Sequence, residues 1–120
     1  MTINNLEKFM ESLPDWAMLA GCFGDTTIAP TDVDGLVERG GKCLFLEHKG
    51  QDAYLSDGQA RTFRALALQG NTILTFWGTG NDVEKIRIDV ADGTKMIQPG
   101  TLDDLRELVS KWFIESSKKC

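Results

Sequence analysis

Val33-Asp-Gly-Leu-Val-Glu-Arg-Gly-Gly-Lys-Cys-Leu-Phe-Leu-Glu-His-Lys49 is the stretch on which the reading of the whole chain turns. Two strand-like runs flank Gly40-Gly41, and a glycine pair accepts the positive φ angles that a tight hairpin turn demands. The stretch therefore predicts a β-hairpin, with strands over Val33 to Glu38 and Lys42 to Lys49 joined at Arg39-Gly40-Gly41. Residues two apart on a strand share a face, so Glu47 and Lys49 point the same way. Counting outward equally from the glycine pair sets Asp34 approximately opposite Glu47. Two carboxylates so placed repel unless something neutralises them. A hard divalent cation such as Mg²⁺ does this, because it takes oxygen ligands and is commonly held by one or two carboxylates. Lys49 beside such an ion suits the holding of a water or the stabilisation of charge developing on a phosphate.

Working outward, Ile3, Leu6, Phe9, Met10 and Leu13 make one apolar stripe at helical spacing, and Pro14 ends that predicted helix. From Asp15 to Pro30 the pattern weakens around Gly21 and Gly24, which predicts a loop with one short strand near Met18 to Phe23. Beyond the hairpin, Ser56 or Asp57 caps a helix running to about Gln69, with Phe63, Leu66 and Ala67 facing inward and Gly70 as its stop. Thr72 to Trp77 and Val83 to Val90 read as strands, the second half-exposed. Asp92-Gly93 makes a turn with room for a further strand. Thr101 then caps a last helix, with Asp104 three residues on and Leu102, Leu105, Leu108, Val109, Trp112 and Phe113 as its buried stripe. Ser116 to Cys120 reads as a frayed tail. The order predicts a single small α/β domain over residues 1–120.

Composition narrows the classes. The chain has 120 residues, 42% of them hydrophobic, with 18 acidic residues against 13 Lys and Arg for a net charge of -5. That length supports one core burying roughly 60% or more of the unfolded surface, and the composition excludes disordered and collagen-like chains. No apolar run approaches the roughly 18 residues of a membrane span, and Lys8 stands among Glu7 and Glu11 where a signal peptide would be basic then apolar. Cys22, Cys43 and Cys120 are odd in number and form no CxxC pair, so free thiols and a cytoplasmic location are expected. The acidic balance argues against coating nucleic acid by bulk charge, though not against a nuclease with an acidic site.

His48 is the single histidine and points away from Glu47 and Lys49, which argues against a zinc site. Gly78-Thr-Gly80 lacks the third glycine and the following helix of a dinucleotide fingerprint. Trp16, Trp77 and Trp112 sit in apolar stretches, where core packing is the default over base stacking. Arg39, Lys42, Arg61 and Arg64 flank the acids in sequence and are the candidate phosphate contacts on DNA.

An acid followed thirteen positions later by Glu-x-Lys, here Asp34 then Glu47-His-Lys49, resembles the PD-(D/E)XK nuclease superfamily, which includes restriction endonucleases, Holliday-junction resolvases and small phage-type nucleases. Gln59, near the start of the next predicted helix, is similar to a glutamine found in several branches. The resemblance implies a restriction-endonuclease-like αβββαβ core over about Ile3 to Trp77, a mixed central sheet flanked by helices, with a C-terminal strand pair and helix added. It implies that Asp34 and Glu47 bind Mg²⁺ or Mn²⁺, that Lys49 assists the attacking water, and that Gln59 orients near the site. The family writes Pro directly before the first acid, and here Pro30-Thr31-Asp32 makes Asp32 a competing metal ligand or a second acid beside Asp34. Some members add a Glu from the first helix, for which Glu7 and Glu11 stand as candidates. The implied activity is metal-dependent hydrolysis of DNA leaving a 5′-phosphate. A chain this short leaves little room for a separate DNA-reading domain, so a homodimer, a protein partner or recognition of DNA structure is expected to supply specificity. Competing readings are a catalytically inactive nuclease-fold interaction protein, such as a phage-encoded inhibitor, and a hydrolase of RNA or nucleotide phosphoesters.

Overall fold

Gly40 and Gly41 take φ of +62° and +85°, the signature of a two-residue primed turn, and they close a hairpin of β1 (Gly35–Arg39) and β2 (Lys42–Lys49). The computed structural model describes residues 15–118. The helix expected over Ile3 to Leu13, with Glu7 and Glu11, lies outside them. The chain divides into two compact units, one ending at Thr31 and the other beginning at Asp32.

In the second unit, β2 is followed by α1 (Asp57–Leu68) and then β3 (Thr72–Thr79), which pairs with β2 in parallel. Two antiparallel strands complete the sheet, β4 (Asp82–Val90) and β5 (Gly93–Ile97), and α2 (Leu102–Ser116) closes the chain. The five strands lie in sequence order across a mixed sheet, an α/β arrangement. Both helices start at capping boxes, Ser56 with Gln59 and Thr101 with Asp104, each satisfying two otherwise orphaned N–H groups.

Alternation along the strands divides the core into two layers. Leu44, Leu74 and Ile86 pack with Leu105 and Trp112 of α2, and Phe45 and Ile73 pack with Phe63 and Ala67 of α1. Inward-facing positions on the α1 side also include Glu47, Lys49, Thr75, Trp77, Arg87 and Asp89, so this layer carries the polar groups. Gly78 bulges out of β3 with φ of +153°, and a Cβ there would stand 1.9 Å from the Asp82 carbonyl oxygen, so no other residue fits. Its own carbonyl accepts from the His48 ring at 2.9 Å.

Four expectations are corrected. The short strand near Met18 to Phe23 does not form. Asp15 accepts from the Ala17 N–H at 2.9 Å and starts a 3₁₀ helix at Trp16–Leu19, while the N–H groups of Ala20 and Cys22 are spent on local turn bonds. Gly21 and Gly24, at φ of +87° and +65°, keep the chain turning. Among the described residues only β1 and β2 precede α1, where the αβββαβ order asks for three strands. In α2 the stripe is narrower than expected: Leu102 and Phe113 are exposed, and the Phe113 ring carries the Arg39 guanidinium at 3.7 Å. The helix also runs through Ser116, which is buried and donates to the Phe113 carbonyl at 2.9 Å, so the tail begins one residue later.

Candidate active site

The β1–β2 register, Gly35 with Leu46 and Arg39 with Lys42, continues outward to set Asp34 opposite Glu47. The Asp34 carboxylate, exposed at the mouth of the hairpin, accepts from the His48 N–H through Oδ2 at 2.7 Å. That bond fixes it one peptide from Glu47 and leaves Oδ1 outside the contact. Glu47 itself is only 6% exposed, which is unusual for a carboxylate and demands compensation.

Compensation comes from two residues. Lys49 Nζ lies 3.4 Å from Glu47 Oε2, and Gln59 Nε2 donates to the same oxygen at 3.1 Å. Lys49 Nζ also donates to Gln59 Oε1 at 2.7 Å, which closes a ring of three side chains. Gln59 is well placed for this because it is the third residue of α1. Its Oε1 also accepts from the Ser56 N–H at 3.3 Å, so the bond that caps the helix holds the amide against the strand. Glu47 Oε1, in contrast, is buried with no hydrogen-bond partner among the described residues.

Glu47, Lys49 and Gln59 therefore meet at one end of β2, where Asp34 bonds the peptide N–H of His48. Asp32 lies two residues upstream of Asp34 on the exposed, irregular segment before β1. Among the described residues no three acid, imidazole or thiol groups converge as a complete metal-ligand set; the carboxylates in this region are Glu47 and, one peptide away, Asp34. These are hard oxygen donors, and an orphaned buried carboxylate oxygen beside an exposed carboxylate fits a small divalent cation that keeps several waters.

The four arginine and lysine candidates are not brought to this end. Arg39 and Lys42 pair at the hairpin turn, seven positions along β2 from Lys49, and Arg39 Nη1 donates to the Phe113 carbonyl at 3.0 Å. Arg64 donates to the Val90 carbonyl at 3.0 Å and lies 3.6 Å from Asp89. Arg61, two residues after Gln59, is exposed on the side of α1 turned away from the sheet. Two further cations share this face of the sheet: Arg87, in the row of Glu47 and Thr75 and paired with Asp89, and Lys85. Lys49, Trp77 and Lys85 form one row across β2, β3 and β4, and Lys85 Nζ sits 4.3 Å above the Trp77 ring. Only the cross-strand register reveals this, and β3 and β4 gave no local signal for it. The His48 ring lies on the opposite face, 5.4 Å from Phe76.

Comparison with protein-family models, with curated proteins and with solved structures yields no match for this chain.

Proposed function

We propose that the protein is a metal-dependent nuclease that hydrolyses DNA phosphodiester bonds at the Asp34, Glu47, Lys49 and Gln59 site. The observation that carries this reading is the buried Glu47 carboxylate, braced on Oε2 by Lys49 and Gln59 and left open on Oε1. A carboxylate buried for stability alone is expected to have both oxygens satisfied. One held rigidly with an oxygen to spare is arranged for a ligand. The Asp-(x)₁₂-Glu-x-Lys spacing and the Gln59 position, similar to PD-(D/E)XK nucleases, give the ligand and substrate class.

Asp34 and Glu47 would hold Mg²⁺ or Mn²⁺, which supplies Lewis-acid polarisation of the phosphate and neutralises charge in the transition state. Lys49 holds the attacking water and places positive charge where the phosphorane oxygens become more negative. Gln59 keeps Lys49 and Glu47 at fixed separation, so that both act without reorganising. Water adds to phosphorus, the bond to the 3′-oxygen breaks, and the products are a 3′-hydroxyl and a 5′-phosphate. Lys85, in the same row as Lys49, is placed to contact a flanking phosphate.

The test is cleavage of linear, supercoiled and branched DNA by purified protein with Mg²⁺ or Mn²⁺. Activity that is abolished by EDTA and by Lys49→Ala, in a variant that stays folded, supports the reading. Equal cleavage by Lys49→Ala, or none by the wild type on any substrate, overturns it and leaves the fold as a scaffold for a protein partner.

A further inference from the structure

Thr75 stands beside Glu47 in the parallel register of β2 and β3, and the two share the α1 face of the sheet. Thr75 is 0% exposed, and its Oγ1 has no hydrogen-bond partner among the described residues. Glu47 Oε1 and Thr75 Oγ1 are the two buried side-chain oxygens in this condition, and they belong to adjacent positions on one face. Leaving a hydroxyl buried and unpaired costs about 1–3 kcal/mol. Valine has the same shape without that cost and a high preference for strands, so stability alone favours valine at position 75.

We propose that Thr75 is a binding residue of the Glu47 cation site, its hydroxyl bonding a water of the hydrated divalent cation that Glu47 Oε1 receives; this rests on the nuclease reading above. A carboxylate oxygen only accepts, whereas a hydroxyl both donates and accepts, so a ligand that serves both presents polar hydrogens, or positive charge together with bound water. A cation with its water shell meets this requirement. Both oxygens are shielded from solvent, so the ligand is small, which disfavours an organic group. Asp34, whose carboxylate bonds the His48 N–H next to Glu47, would add a donor from the exposed side.

Calorimetric titration of Mn²⁺ into the purified full chain tests this without reference to cleavage. The wild type is expected to bind Mn²⁺, Thr75→Val to bind it about tenfold more weakly or worse, and Thr75→Ser, which keeps the hydroxyl, to stay within about threefold of wild type. Melting in EDTA should show Thr75→Val at or above the wild-type temperature, because an unpaired buried hydroxyl has been removed. Should Thr75→Val fail to fold, Thr75→Ala replaces it in the titration with the same expectation. Mn²⁺ affinity that falls less than about threefold on losing the hydroxyl overturns the role of Thr75 and leaves the Glu47 site standing. Absence of Mn²⁺ binding by the wild type overturns the cation reading of Glu47 itself.

Discussion

Two carboxylates are buried on the same face of one sheet, and they are treated in opposite ways. Asp89 on β4 is 0% exposed and has both oxygens occupied: Arg87 donates to Oδ2 at 2.9 Å and to Oδ1 at 3.2 Å, Thr94 donates to Oδ1, and Arg64 lies 3.6 Å away. Glu47 on β2 is nearly as buried, yet its braces share one oxygen and the other has none. Burial of a charged group is common to structural and functional sites. Incomplete satisfaction is what separates them, because a folded chain gains nothing from a half-paired carboxylate unless something else completes it.

The sharpest test of this contrast exchanges the two. Asp89→Ala should destabilise the fold by about 3 kcal/mol, since it strands two guanidinium groups that the carboxylate neutralises. Glu47→Gln should cost less, about 1–2 kcal/mol, because the amide still bonds Gln59 and Lys49, though losing its ion-pair partner, keeps the Gln59 Oε1 acceptor. Denaturant melts of the two variants check this. Equal losses would erase the distinction.

Gln59 offers a finer cut. It serves both the helix cap and the Glu47 brace, and Gln59→Glu retains the capping box while turning the donor toward Glu47 into an acceptor. Cleavage should fall about tenfold or more, and the melting temperature should fall too, because two carboxylates then face each other at a buried site although the helix keeps its start. A variant with full activity would show that the brace is not needed. The smallest effect is expected at the far end of β2. Arg39→Ala removes the bond and ring contact to Phe113, costing about 1 kcal/mol of stability, and should leave cleavage unchanged. A selective loss of DNA affinity at unchanged stability would instead restore Arg39 as a phosphate contact.

Much of the Glu47 region was legible in sequence because every step there is local. A glycine pair fixes the turn, the turn fixes the register, and period-two alternation then puts Asp34, Glu47 and Lys49 on known faces. The start of α1 was narrowed to two residues, and the capping box selects Ser56. What stayed hidden depends on contacts between distant segments. Pairing of β2 with β3 crosses an intervening helix, so no turn dictates that Thr75 neighbours Glu47 or that Lys85 joins the row of Lys49. The Val83 to Val90 strand read as half-exposed, and the approach of Arg64 from α1 and Thr94 from β5 shows Asp89 on it to be interior. Arg39 looked free because its partner Phe113 lies 74 residues away. The strand expected near Met18 was lost to an Asp15 cap and two positive-φ glycines, local signals that outweighed a weak apolar run.

The central question is whether the open oxygen of Glu47 serves catalysis. The direct measurement is DNA cleavage by wild type and Glu47→Gln in Mg²⁺ or Mn²⁺, with circular dichroism confirming that both are folded. A loss of about a hundredfold or more in the isosteric variant, with the wild-type activity abolished by EDTA, is the predicted result. Undiminished cleavage by Glu47→Gln would contradict it.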